Sequence, residues 1–261
     1  MKNRIKKLFS EHKKDILSMY YTAGFPSLSA TGSIAQTLAE AGADIIEIGI
    51  PYSDPVADGP TIQASNTIAL KNGMRLSTLI AQVKEVRGKI NVPIILMGYI
   101  NPVLQYGMEK FAHDAADAGV DGVILPDMPM DEYIENYKEL FESVNISNTF
   151  LISPTTSEER IRKIDEVTDG FIYAVSASSI TGAKGKFEQD QLDYFDRLKK
   201  MKLRNPYLIG FGISNHETFA TASKFGAGAI VGSAFVDVLK NSKDLATDIT
   251  RFVRNLKHNG A

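Results

Sequence analysis

Three carboxylates crowd one short stretch, Glu47-Ile-Gly-Ile-Pro-Tyr-Ser-Asp-Pro-Val-Ala-Asp-Gly-Pro-Thr-Ile-Gln63: Glu47, Asp54 and Asp58. Glu47 interrupts Ile45 to Ile50, a β-branched run with the composition of a strand buried on both faces. An unpaired carboxylate there costs several kcal/mol, and burial raises its pKa toward the range useful for general acid/base work. The loop that follows is held by Pro51, Pro55, Gly59 and Pro60. An acid on a strand that feeds an Asp-rich, Pro-stiffened loop has the makings of a catalytic rim. Each acid also has a plainer reading. Glu47 fits a structural ion pair, Asp54 before Pro55 fits a capped turn, and Asp58 before Gly59 fits a turn residue.

A second group lies late in the chain. Gly210-Phe-Gly212-Ile-Ser214 and Val231-Gly232-Ser233 combine glycines, which let a backbone approach a ligand closely, with residues that open helices. N–H groups at a helix N-terminus carry partial positive charge and suit phosphate. Thr181-Gly182 offers a further N–H on a loop able to close as a lid. Tyr173 places a hydroxyl between Ile172 and Ala174, as a core ring or as a working phenol. His12, His113, His216 and His258 all fall on or beside expected helices, and no lysine falls in an expected strand. Histidine-bound metal and Schiff-base chemistry are therefore not expected. What remains is carboxylate acid/base chemistry on a phosphorylated substrate.

The elements that position these groups repeat in one cadence. Arg4 to His12 reads as a short amphipathic helix. Strands are expected at Ile16–Tyr21, Ile45–Ile50, Val92–Met97, Val123–Leu125, Thr149–Ile152, Phe171–Ser176, Tyr207–Phe211 and Ile230–Val231. Helices run between them, with Ser27 or Ser29, Ser157 and Ser214 as caps. Two helices, Thr61–Asn72 and Leu76–Gly88, follow the second strand, and the last helix runs from Asp244 to about Lys257. Helix ends repeat before strands as Ala-Gly42-Ala-Asp, Ala-Gly119-Val-Asp and Phe-Gly226-Ala-Gly, each glycine a left-handed cap. Eight strand–helix cycles imply a parallel sheet that closes as a single (β/α)8 TIM barrel with extra helices, one α/β domain over residues 1–261. In that fold the site lies at the C-terminal ends of the strands. The filter retains Glu47, Asp54, Asp58, Asn101, Asp127, Tyr173, Ser176, Ser178, Ser179, Thr181, Ser214 and Ser233.

Composition sets the outer bounds. The 261 residues are 44% apolar and 23% charged, with a formal net charge of −2, which gives no reason to expect nucleic acid or an anionic membrane as partner. There is no cysteine, so disulfides, thiol catalysis and thiolate metal sites are excluded. The basic N-terminus lacks a following apolar segment and no apolar run approaches a membrane span, so a cytoplasmic enzyme is expected.

Glu47 to Gln63 closely resembles the signature of the tryptophan synthase alpha subunit family. The match continues with Tyr99-Ile-Asn-Pro102, Leu125-Pro-Asp-Met-Pro129, Thr181-Gly182, Gly210-Phe-Gly-Ile-Ser214 and Gly232-Ser233, in family order. The resemblance implies retro-aldol cleavage of indole-3-glycerol phosphate to indole and D-glyceraldehyde 3-phosphate, without metal or cofactor. It implies Glu47 as the acid/base group and Asp58 as holder of the indole N–H, overriding the local turn reading of Asp58. It places Tyr173 beside the glutamate, the substrate phosphate on the backbone N–H groups of Gly182, Gly212, Gly232 and Ser233, and Thr181 and Phe211 among the substrate-binding residues. The implied partner is a pyridoxal-phosphate beta subunit in an alpha-beta-beta-alpha heterotetramer, facing the loop Pro51–Pro60 and those after the third and sixth strands. The chain departs from some relatives at Ala177, Ser179 and Phe25. A different phosphosugar barrel enzyme, an isomerase or epimerase, is the enzymatic alternative, and a subunit that only activates its partner is the other. The strand-end histidines common in the first are missing, and the second has no need of two rim acids.

Overall fold

The computed structural model describes residues 3–176 and 186–258. Nine short strands, β1 (Ile16–Thr22), β2 (Ile45–Gly49), β3 (Ile94–Met97), β4 (Gly122–Ile124), β5 (Ser147–Asn148), β6 (Leu151–Ile152), β7 (Ile172–Val175), β8 (Tyr207–Gly210) and β9 (Gly228–Val231), form one sheet in the order β5-β4-β3-β2-β1-β9-β8-β7-β6. Every pairing is parallel. β5 and β6 are two halves of one extended segment. Its first half pairs with β4 and its second with β7, and between them Thr149 N donates to Val123 O and Tyr173 N to Phe150 O, both at 3.0 Å. That segment closes the sheet, so the nine strands occupy eight barrel positions, and the fold is the expected TIM barrel.

Alternation along the strands divides the core. On β1, Leu17, Met19 and Tyr21 pack outward against helices, while Ile16, Ser18 and Tyr20 face inward. The inner layer holds Ile16, Ile45, Ile95, Ile124, Phe171, Tyr173, Leu208 and Ile230. Its floor is the helix Arg4–Glu11, whose Ile5 and Phe9 lie one turn apart on the same face and plug the N-terminal mouth. Phe9 packs on Phe171 with centroids 5.7 Å apart. Gly122 is fitted to this plug, since a Cβ there would come within 2.7 Å of the Ile5 side chain.

Extra helices stand where the sequence places them, Pro60–Lys71 and Leu76–Arg87 after β2, and Ser233–Asn241 and Leu245–His258 after β9. Four local expectations are corrected. A helix not foreseen, Ile100–Tyr106, follows β3 and is entered from the extended Tyr99, its Pro102 tolerated in the first turn. The helix expected over Asp131–Ser143 is broken by a π-helical turn, Tyr133–Tyr137. The cap of His216–Phe225 is Asn215 rather than Ser214, because the Asn215 side chain accepts from Thr218 N at 2.9 Å. Gly42 and Gly119 are left-handed as expected, but Gly226 is extended and is small because a Cβ would lie 2.8 Å from Tyr207 O. Among the described residues no helix is long and apolar enough to cross a membrane.

Candidate active site

Register brings the chemistry together. Tyr20 on β1 is the Cα partner of Glu47 on β2, Glu47 that of Ile95 on β3, and Tyr173 on β7 that of Leu208 on β8. Glu47 is fully buried, with 0% of its surface exposed. Its Oε1 accepts from Ser18 Oγ at 2.6 Å, and its Oε2 has no hydrogen-bond partner. The ion-pair reading of Glu47 is therefore set aside: no salt bridge engages it among the described residues, and its neighbours are phenols and apolar side chains. Burial pushes its carboxyl up to about 7, opposed by the Ser18 hydroxyl.

Asp58 sits half-buried at the end of the loop that leaves β2, just ahead of the helix Pro60–Lys71. Burial pushes its carboxyl up to about 6, while a hydrogen bond from Tyr99 pulls it down. Tyr99 also accepts from Ala57 N at 3.0 Å, so one phenol holds both the backbone and the acid of this loop. The Tyr99 ring packs against Tyr52, 5.2 Å between centroids, and Tyr52 accepts from Asn101 Nδ2. Asp127 accepts from Ile100 N at 2.9 Å and so ties the rim loops after β3 and β4. Asp54 is exposed and takes up the Ser53 hydroxyl, consistent with the turn reading.

The phenols of Tyr20 and Tyr173 interact with both Glu47 and Asp58, and burial, followed by these charges, raises their pKa values so that both stay protonated. Two glycines make room for them. A Cβ on Gly49 would overlap the Tyr20 hydroxyl, and one on Gly210 would overlap the Tyr173 ring. Gly210 thus serves the tyrosine rather than an anion, a correction to its place in the late glycine group.

A cavity of about 510 Å³ adjoins these rings, lined among others by Tyr20, Asp58, Met97, Tyr173, Phe211, Gly212, Gly232 and Ser233. Gly212 has φ +75°, and Phe211 also lies in the left-handed region at φ +68°, where the buried Ser176 holds it by donating to Phe211 O at 2.7 Å. Ser233 and Ala234 begin the helix Ser233–Asn241 at the cavity wall, and the first N–H groups of a helix lack intrahelical acceptors. Asp58, Tyr173, Phe211, Gly212, Gly232 and Ser233 therefore surround one space. Glu47 lies behind Tyr20 and Tyr173 rather than on the lining. Thr181 and Gly182, with Ala177, Ser178 and Ser179, lie outside the described residues.

The arrangement offers a buried carboxyl titrating near neutrality, a second acid on the cavity lining, and a helix N-terminus on the same lining. Residues 6–260 match the family model described as the tryptophan synthase alpha chain. The chain belongs to the tryptophan synthase alpha chain family. It is 53% identical over 237 residues to the alpha chain of Phocaeicola vulgatus, covering 91% of this chain and 92% of that one. It is 50% identical over 254 residues to that of Flavobacterium psychrophilum, covering 97% and 99%. A crystal structure of tryptophan synthase subunit alpha from Legionella pneumophila superposes with TM-score 0.88 at 33% identity, covering 98% of each chain. As a member of this family it is a carbon–carbon lyase, cleaving indole-3-glycerol phosphate to indole and D-glyceraldehyde 3-phosphate.

Sequence reasoning missed Ser18 and Tyr20, and named Tyr99 only within the Tyr99-Ile-Asn-Pro102 motif, without a role. The first two had a readable signal: in a strand buried on both faces, Ile16, Ser18, Tyr20 and Thr22 share one side, and polar atoms there face the barrel interior.

Proposed function

We propose that Glu47 and Asp58 carry the cleavage between them. Glu47 gives a proton to the indole carbon that bears the glycerol chain, and Asp58 holds the ring N–H and stabilises the positive charge this creates. Glu47, now ionised, takes the proton of the glycerol hydroxyl on the carbon next to the ring. The C–C bond breaks, its electron pair returns to the ring, and indole and an aldehyde result. A carboxyl titrating near 7 can act in both directions in one turnover. The observation that carries this reading is Oε2 of Glu47, buried and without a partner beneath the cavity that Asp58 borders.

The glycerol phosphate end rests on the N–H groups about Gly212, Gly232 and Ser233, supported by the left-handed Gly212 and the helix start at Ser233. Tyr173 and Phe211, 6.2 Å apart between centroids, flank the indole end. Thr181 and Gly182 complete the phosphate contacts. Residues 1–261 form a single domain that works in the cytoplasm without a cofactor of its own. The partner is a tryptophan synthase beta subunit, which holds the pyridoxal phosphate, in an alpha-beta-beta-alpha assembly. The exposed Val56 on the loop after β2 and Leu104 on the helix Ile100–Tyr106 fit such a partner.

Indole release from indole-3-glycerol phosphate by the purified chain, with and without a beta subunit, tests the reading. Weak release alone and much stronger release in the complex is expected. No indole under either condition overturns it.

A further inference from the structure

Ser18 is out of place unless it serves Glu47. It is fully buried on β1, one barrel layer below Tyr20, with Ile45 and Ile230 as its Cα partners on the adjoining strands. Both partners belong to the apolar interior. A hydroxyl in such a layer is costly unless it is bonded, and it is bonded to Glu47 Oε1 at 2.6 Å. The two carboxyl oxygens of Glu47 are thereby made unequal: Oε1 is tied down from below, and Oε2 is free.

We propose that Ser18 is a positioning residue for the reaction: its hydroxyl donates to Oε1, fixes the carboxyl's orientation, favours its ionised form and leaves Oε2 as the reacting oxygen. The proposal rests on Glu47 being the acid/base group. The groups facing Glu47 bear it out. Tyr20 from β1 and Tyr173 from β7 both interact with Glu47, and neither brings positive charge. The Cα partner on β3 is the apolar Ile95. Burial opposes ionisation of Glu47, and the Ser18 hydroxyl is the described group that favours it. Without it, proton exchange with the substrate is displaced toward the protonated acid, and the base half of the cycle is starved near neutral pH.

The test follows the Glu47 carboxyl directly. Its infrared band, assigned by its loss in Glu47→Gln, is titrated in the parent chain and in Ser18→Ala, alongside the kcat and KM profiles against pH and the melting temperature. The expected result is a carboxyl that titrates about one pH unit higher in Ser18→Ala, a kcat limb that moves with it, and an unchanged KM. Should Ser18→Ala not fold, Ser18→Cys keeps the volume with only a weak donor and reads the same direction. An unmoved carboxyl, even with a lowered melting temperature, makes Ser18 a packing residue and overturns the proposal. If Glu47→Gln still cleaves, the acid/base reading falls and the catalytic role of Ser18 with it; if Glu47→Gln is dead and the titration is unmoved, only the role of Ser18 falls.

Discussion

The two mouths of the barrel each bury a carboxylate, and they treat it in opposite ways. At the N-terminal mouth Asp121, 3% exposed, is saturated: Oδ1 meets Arg4 at 3.0 Å, and Oδ2 accepts from Arg87 at 3.1 Å and from Ile94 N at 3.0 Å. Asn3 closes the same corner, its Nδ2 donating to Asp121 O at 2.7 Å while its Oδ1 caps the plug helix through Ile5 N at 2.9 Å. At the C-terminal mouth Glu47 has one serine, one free oxygen and no cation. A carboxylate surrounded by donors stabilises a fold but has nothing left to offer a substrate. One left half-satisfied costs stability and keeps its proton chemistry. Burial alone does not separate the two; the number of filled lone pairs does.

The contrast can be broken at its strongest point. Asp121→Ala leaves Arg4 and Arg87 without their shared anion at the closed mouth, and a loss of about 3–5 kcal/mol is expected in urea unfolding, with activity per folded molecule preserved. A loss of cleavage out of proportion to the unfolded fraction would mean the two mouths are coupled.

A second test uses pH. The carboxyl of Glu47 is raised from 4.5 to about 7 in the folded chain, so between those values the folded state binds more protons than the unfolded state. Stability from this group is therefore highest below the unfolded pKa and is lost as pH rises through the folded one. Glu47→Gln removes that penalty. The variant should gain roughly 3 kcal/mol over the parent between pH 4.5 and 7.5, read from denaturant midpoints across the range. A pH-independent difference would show that Glu47 titrates normally.

Asp58→Asn keeps the shape of the rim but gives up the negative charge proposed to face the indole ring. Cleavage should fall on the order of 10²-fold with little change in melting temperature, as measured by steady-state indole formation. The smallest effect is expected from Asn3→Ala, about 1 kcal/mol of stability from the lost cap, with kcat unchanged.

These contrasts were only partly legible in the chain. Glu47 stood out because an acid inside a β-branched run is anomalous whatever the fold, and Gly212 and Gly232 of the late glycine group line the cavity. Asp121 did not stand out: it sits in Gly119-Val-Asp-Gly122, where an aspartate between glycines reads as a turn, and its partners Arg4 and Arg87 are remote in sequence. Gly226 was misread for a related reason. The same helix-end pattern serves a left-handed cap at Gly42 and a close approach to Tyr207 at Gly226, and only tertiary contact tells them apart. The split of the fifth barrel strand and the π-turn at Tyr133–Tyr137 likewise follow from closure and packing rather than from local propensity.

The central claim is that the half-satisfied carboxylate is the working one, and single-turnover cleavage of indole-3-glycerol phosphate by Glu47→Gln addresses it most directly. The expected result is a well-folded chain that still binds the phosphorylated substrate but has lost about 10³-fold or more in indole formation. Near-normal indole formation by that variant would contradict the claim and return the chemistry to Asp58 and the phenols around it.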